Sequence, residues 1–409
     1  MKKLAFLAII GLALASCSKG DYYNGVIDEG GHYKGEDYDS EAAMDGGGDY
    51  GESGETGETG EQPVAEPGVI TAGEWNDLDN WNFWGGLMTD TFKDYWFYWG
   101  MNTSNRFAVS VSDGENPVQG IKVELKDSEG KLLWTSVTDN TGKANLWADA
   151  FVKQGQTVID KCTVTIGGQL MEGNPVVSDW SAEQPVVWNS YVVGAIPAPK
   201  LADIAFIIDA TGSMGDEIDF LKQDLLDILD KVAQVQTDKK IYTGTVFYRD
   251  EGDTYLTRVS EFADKTSKTV DFVKGQEAAG GGDLPEAVHT ALETALTKLQ
   301  WHGEGCPSLA FLILDAPAHV DHNGVVKSLQ KSIADFSAKG IKLIPVFCSS
   351  GDKTCEFMCR DFAILTGGTY VFLTNDSGVG GEHLTPSVGD YQVEKLRDLI
   401  IRLINKYLS

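Results

Sequence analysis

The chain has 409 residues, too many for one ordinary hydrophobic core, so two folded units joined by linkers are expected. Its formal charge of −28 argues against a nucleic-acid partner, which needs clustered Lys and Arg, and against electrostatic docking on anionic lipid. With 42% apolar and 23% charged residues the composition is otherwise globular, so the excess acid reads as a solvated surface plus an acidic tail, with a preference for cations as the sharper reading.

The first residues read as an address. Lys2 and Lys3 precede an apolar run from Leu4 to Ala15 that is too short to span a bilayer as a helix. The run ends in Leu14-Ala15-Ser16-Cys17, which resembles the bacterial lipobox. That resemblance implies a signal peptide over residues 1–16 and a diacylglycerol on the Cys17 thiol. Ser18, Lys19 and the acids after them resemble the surface-export signal of Bacteroidota lipoproteins. The expected location is the outer membrane, facing the cell surface or the periplasm.

Residues 17–72 read as an acidic, Gly-rich tether. From Asp21 to Pro67 there are fourteen Asp or Glu against one Lys, a composition that buries too little apolar surface to offset chain entropy. Self-repulsion extends such a segment into a spacer. An acidic ligand segment is the alternative.

Residues 73–198 are expected to form a β-sandwich with an aromatic-rich lead-in. Ten aromatic residues lie between Trp75 and Trp99, suited to core or inter-domain packing, or to a carbohydrate-stacking platform. Beyond Arg106 the apolar residues recur with period two, as in Phe107, Val109, Val111 and in Ile121, Val123, Leu125. Turn signals at Asp127–Gly130, Asp139–Gly142 and Gly167-Gly168 separate the short strands. Asn116-Pro117-Val118-Gln119-Gly120-Ile121 and Thr138 to Ala144 resemble the carboxypeptidase regulatory-like, immunoglobulin-type sandwich family. Pro197 and Pro199 mark a linker.

Residues 199–409 alternate strand and helix. Asp203 to Ile208 is nearly all apolar, the mark of a strand buried on both faces. Ile218, Leu221, Leu225, Ile228, Leu229 and Val232 follow at helical spacing. Further strands are expected at Ile241–Tyr248, Tyr255–Val259, Leu309–Leu314, Lys342–Phe347 and Tyr370–Leu373. Helices are expected at Thr266–Lys274, Leu284–Leu299, Gly324–Ala338, Thr354–Leu365 and Val388–Tyr407. This alternation predicts a doubly wound α/β (Rossmann-like) sheet, which holds ligands beyond the carboxyl ends of its strands.

Asp209-Ala210-Thr211-Gly212-Ser213 stands where the first of these strands gives way to the first helix. One carboxylate and two hydroxyls on that loop supply half of the six oxygens a hard divalent cation takes. The alternative is that Thr211 or Ser213 caps the helix. Here the chain resembles the von Willebrand factor type A (VWA) family, whose metal-ion-dependent adhesion site begins with Asp-x-Ser/Thr-x-Ser at this place. The resemblance implies Mg²⁺, or Mn²⁺ or Ca²⁺, held by Asp209, Thr211, Ser213 and two further loops.

Asp315, ending Leu312-Ile313-Leu314, matches the family's carboxylate at the end of a later strand. At the remaining position the family has Thr, whereas Gly280-Gly281-Gly282 is followed here by Asp283. Gly-Gly-Gly-Asp-x-Pro-Glu and Asp-Ala-Pro-x-His at 315–319 resemble a branch related to the alpha-kinase-associated domains. Asp283 also reads as an N-cap with Glu286 three residues on, and a carboxylate has oxygens for both roles. A third Asp makes the sum with Mg²⁺ minus one, which implies tighter metal retention and weaker attraction for a partner's carboxylate. Asp250, Glu251 and Asp253 read as a solvated acidic loop bordering the site. His319 reads as structural or as a donor to a bound ligand, and His302 beside Trp301 is assigned no role.

Cys348, Cys355 and Cys359 have the means for one bridge outside the cytoplasm, with no pairing legible. The Cys-x3-Cys at 355 and 359 lacks a second pair for zinc. No Gly-x-Ser-x-Gly elbow or Walker loop occurs, and the phosphatase-type Asp-x-Asp is absent after the first strand of this unit. The expectation is a non-enzymatic, cation-dependent adhesion module for a protein or acidic ligand. A metal-dependent hydrolase and a structural envelope subunit are the alternatives.

Overall fold

A computed structural model of the chain describes residues 70–409 apart from 152–154, 283, 304, 349–350 and 376–382. Cys17 and nearly all of the acidic tether lie outside the described residues.

The chain enters through β1 (Thr71–Trp75), α1 (Trp81–Thr89) and α2 (Tyr95–Trp99). Seven strands follow: β2 (Asn105–Ser112), β3 (Lys122–Lys126), β4 (Leu132–Val137), β5 (Lys143–Ala148), β6 (Thr163–Ile166), β7 (Gln169–Leu170) and β8 (Trp188–Val192). They form a three-stranded sheet, ordered β5-β2-β8, and a four-stranded sheet, ordered β4-β3-β6-β7. Phe107, Val109 and Leu146 of the first share one apolar cluster with Val123, Leu125 and Val164 of the second. The period-two pattern thus turns one side of each sheet inward.

Beyond residue 200 come β9 (Leu201–Asp209), α3 (Gly215–Val235), β10 (Lys240–Tyr248), β11 (Thr257–Ala263), α4 (Thr266–Lys274), α5 (Val288–Lys298) and β12 (Ser308–Leu314). They are followed by α6 (Val325–Ala338), β13 (Ile341–Phe347), α7 (Lys353–Thr366), β14 (Tyr370–Leu373), β15 (Glu394–Lys395) and α8 (Leu396–Leu408). The large sheet runs β11-β10-β9-β12-β13-β14-β1-β15. Its five central strands, β10 to β14 in that order, are parallel, while β11, β1 and β15 pair antiparallel.

Strand β9 is buried on both faces, which is why it reads as a continuous apolar run. Ile204, Phe206 and Ile208 face α3 and α8, whereas Ala205 and Ile207 join the cluster of α5, α6 and α7. On α3 the apolar residues spaced three and four apart, Ile218 to Val232, are buried, as is Glu217. Asp216 and Glu217 sit in its first turn, where the helix dipole favours acid.

Strand β1 lies in the large sheet, between β14 and β15, although it precedes the small sheets in the chain. The aromatic segment after it packs inward: Trp81, Trp84, Phe92 and Trp99 are fully buried, and Trp84 stacks on Phe357 of α7. Phe97 and Tyr98 are exposed. Asp77 ties this segment to α7, accepting from Arg360 at 2.6 and 2.9 Å with both groups buried.

Two helices are shorter than their apolar periodicity predicts. α5 starts at Val288 rather than Leu284, because the Glu286 amide donates to Pro317 O at 2.8 Å and Glu286 bridges Ala318 as extended chain. Glu286 is therefore not the third residue of a capping box. α8 starts at Leu396 rather than Val388. The chain before it is engaged elsewhere: the Ser387 amide bonds Glu356, Tyr391 packs on Phe372, and β15 pairs with β1. No bridge joins the described cysteines; Cys348, Cys355 and Cys359 are buried as thiols among apolar neighbours. Among the described residues no helix is long and apolar enough to cross a membrane.

Candidate metal centre

The ends of β9, β10 and β12 are level at the carboxyl edge of the large sheet. Asp209 stands opposite Tyr248, and Ile208 opposite Ile313, so Asp315 comes one residue past the end of β12. Asp209 is fully buried, and Thr211 and Asp315 are nearly so. Ser213 is exposed, in the short turn before α3.

The first loop is held by its own polar groups. Asp209 Oδ1 accepts the Thr211 amide at 2.9 Å and the Thr211 hydroxyl at 2.7 Å. The glycine loop is sewn to it: Gly212 N donates to Gly280 O at 3.1 Å, and Ala279 N to Ala210 O at 3.0 Å. Arg249 adds a clamp, donating to Ala210 O at 3.0 Å and to Glu277 O at 2.7 Å. Gly280 has φ 84°, a left-handed conformation that suits glycine. A Cβ there would run into Asp253, whose carboxylate accepts the Gly281 amide at 3.0 Å. Asp283 lies outside the described residues.

The side chains lie in one electrostatic neighbourhood: Ser213 holds down the Asp315 carboxyl, and Asp315 in turn disfavours ionisation of Asp209. Asp209 Oδ2, Asp315 Oδ1, Glu286 Oε2 and the Tyr248 hydroxyl are buried and without a hydrogen-bond partner among the described residues. Unpartnered buried oxygens are costly and rare in a finished interior.

The electrostatics agree. Burial, reinforced by Asp315, lifts Asp209 to about 7 against the bonds from Thr211. Burial lifts Glu217 to about 7, with Asp315 and Asp209 adding to the rise. Glu286 is pushed to about 9, by burial first and then by Asp209, Asp250, Asp315 and Asp253. Asp315 is raised by burial and held back by Ser213. Buried acids that repel one another are stabilised by a positive charge placed among them.

The residues fit a hard divalent cation. Asp209 and Asp315 would hold it with their orphaned oxygens, and Thr211 and Ser213 with hydroxyl lone pairs, the Thr211 hydroxyl giving its hydrogen to Asp209. When bound, the ion supplies a Lewis-acidic position for a ligand oxygen. Glu286 was assigned to capping and Glu217 went unremarked in the sequence; the structure draws both toward the centre. Only the tertiary fold shows this, because nothing in their local spacing differs from that of ordinary acids. The acidic loop after β10 is not fully solvated: Asp250 is buried and bonded to His319, and Asp253 braces the glycine loop.

A wall of apolar side chains stands beside Asp315. A cavity of about 160 Å³ is lined by Asp315, Tyr98, Trp99, Leu284, Pro285 and Val320 among others. A separate group, Asp203, His302 and Cys306, gathers ligand atoms within 4.8 Å of one another at the opposite end of β9. There the Asp203 carboxylate accepts the His302 amide at 2.8 Å and pairs with its Nδ1 at 2.7 Å.

Residues 203–345 match the von Willebrand factor A domain family, and the chain carries such a domain over that stretch. A protein of Acanthamoeba polyphaga mimivirus, named as an ariadne-like RING finger protein, is 31% identical over 123 residues, 30% of this chain and 12% of its own length. The alpha-protein kinase vwkA of Dictyostelium discoideum is 31% identical over 127 residues, 31% of this chain and 20% of its own length. The similarity thus spans a fifth or less of either relative. Among solved structures, the pilus adhesin SpaC of Lactobacillus rhamnosus GG, in its open conformation, aligns with a TM-score of 0.35 at 10% identity, covering 52% of this chain and 30% of that one.

Proposed function

We propose that this chain is a membrane-anchored, divalent-cation-dependent binding module for a protein or acidic ligand. Mg²⁺ is the expected ion, with Mn²⁺ and Ca²⁺ as alternatives of the same oxygen chemistry. The observation that carries this reading is the pair of buried oxygens at the rim of the parallel sheet, Asp209 Oδ2 and Asp315 Oδ1, that have no partner among the described residues. Asp283 joins them as a further ligand in this reading, directly or through water. The ion keeps a position for a carboxylate of the partner, and the apolar cavity beside Asp315 receives what flanks that carboxylate.

The remainder of the chain serves presentation in this proposal. The two small sheets form an immunoglobulin-type sandwich that extends the binding surface. Lipid on Cys17 anchors the protein in the outer membrane, and the acidic tether holds the folded part away from it. The role is binding rather than catalysis.

Affinity capture from native envelope, with and without a chelator, tests the proposal. A partner retained with Mg²⁺ and released by chelation is the expected result. Calorimetry showing no Mg²⁺ or Mn²⁺ binding by the purified protein overturns it.

A further inference from the structure

The turn after the metal-centre strand carries His319-Val320-Asp321-His322. A ring nitrogen of each histidine and a carboxylate oxygen of Asp321 lie within 4.8 Å of one another. The two imidazoles are stacked, with centroids 4.3 Å apart and planes at 1°. The His322 amide closes the turn on His319 O at 3.2 Å. From the neighbouring loop, Asp250 Oδ1 takes the His319 Nε2 hydrogen at 2.7 Å, and Glu251 stands 3.9 Å from His322 Nδ1.

We propose that His319, Asp321 and His322 form a second cation site, for a divalent transition-metal ion such as Zn²⁺, beside the oxygen-lined centre. The donor set decides the class of ion. Two imidazole nitrogens and a carboxylate suit Zn²⁺, Co²⁺ or Ni²⁺, whereas Mg²⁺ takes oxygen. Asp250 supplies the supporting part of such a site: by accepting at Nε2 it fixes the tautomer and leaves the His319 lone pair on Nδ1. Asp250, Glu251 and Asp321 put three carboxylates around two imidazoles, a setting that attracts a cation.

A purely structural role accounts for only part of this arrangement. The Asp250–His319 bond ties two loops together and explains why His319 is buried. It does not explain the approach of exposed Asp321 and His322 to His319. Stacked rings aim their lone pairs along parallel planes, so His322, 44% exposed, turns out of the stack to meet an ion beside His319 and Asp321. The group at the other edge of the sheet differs. There the Asp203 carboxylate already has His302 as its partner, and hydrogen bonding alone accounts for it.

The test is a Co²⁺ titration of the full chain with Mg²⁺ in excess to occupy the oxygen centre. One equivalent of Co²⁺ is expected, with a visible spectrum of nitrogen and oxygen ligation and no thiolate charge-transfer band. His322→Ala and Asp321→Asn, both at exposed positions, are each expected to weaken binding by about tenfold or more. Asp209→Asn is expected to leave Co²⁺ binding in place, which separates this site from the Mg²⁺ centre. Binding unchanged in both variants overturns the proposal. So does a charge-transfer band lost in Cys306→Ser, or the absence of Co²⁺ binding.

Discussion

Asp209 gives one carboxylate oxygen to Thr211 and keeps the other free: Oδ1 accepts the Thr211 amide and hydroxyl, and buried Oδ2 accepts nothing among the described residues. The first oxygen shapes the loop. The second is the atom that a cation would take. Asp209→Asn keeps the shape and the acceptor to Thr211 but removes the charge. We expect Mg²⁺ binding to be lost by calorimetry while the circular dichroism spectrum is unchanged. An Asn variant that binds Mg²⁺ as the parent does would remove Asp209 from the centre.

The raised acids give the ion-free protein a characteristic pH dependence. A carboxyl lifted in the folded state binds its proton more tightly there than in the unfolded chain. Its stabilising contribution is complete below its unfolded value near 4. It is lost as pH rises through about 7 for Asp209 and Glu217, and through about 9 for Glu286. With EDTA, the melting temperature should fall between pH 5 and pH 8. Mg²⁺ should raise it at pH 8 far more than at pH 5. Equal effects of Mg²⁺ at both pH values would contradict the assignment.

Asp283 tests the charge of the centre. Two Asp and Mg²⁺ sum to zero, whereas three Asp and Mg²⁺ sum to minus one. Asp283→Thr should therefore weaken Mg²⁺ binding and strengthen that of a soluble carboxylate probe such as acetate. Calorimetry with each in turn reads both affinities. Unchanged Mg²⁺ affinity counts against ligation by Asp283.

The apolar wall and the ion should be separable. Leu284 is 68% exposed at the cavity beside Asp315. Leu284→Asp should abolish partner capture from envelope while leaving Mg²⁺ binding within about twofold, because a solvated charge at that exposure couples weakly. Capture that survives the substitution would place the partner elsewhere on the rim.

The Asp77–Arg360 pair should be a principal staple between the entry segment and α7. Arg360 also donates to Glu356 at 3.2 Å; its removal leaves buried Asp77 without its cation, while Glu356 keeps Lys353 at 2.7 Å. Arg360→Met should cost about 3–5 kcal/mol in urea unfolding. A loss below about 1 kcal/mol would show that the acids reprotonate or rehydrate without disturbing the packing.

Local pattern was enough to reveal the parallel core of the large sheet and the first loop of the centre. A strand buried on both faces must be apolar throughout, and a helix packed on one face must repeat every three to four residues. Both patterns are written locally, from Ile204 to Val232. Asp209, Thr211 and Ser213 could be placed for the same reason: strand end and helix start lie within six residues. Everything that depends on distant segments meeting came only with the fold. Strand β1 entered the large sheet across roughly three hundred residues, by hydrogen bonds that favour no particular side chain. Glu286 turned from a cap into a wall of the centre because Pro317 and Ala318 lie beside it. Asp250 left the solvent for His319, and the helices at 288 and 396 gave up their predicted first turns to pairing with other strands. Periodicity encodes which face of an element is buried; it does not encode which neighbour arrives to bury it.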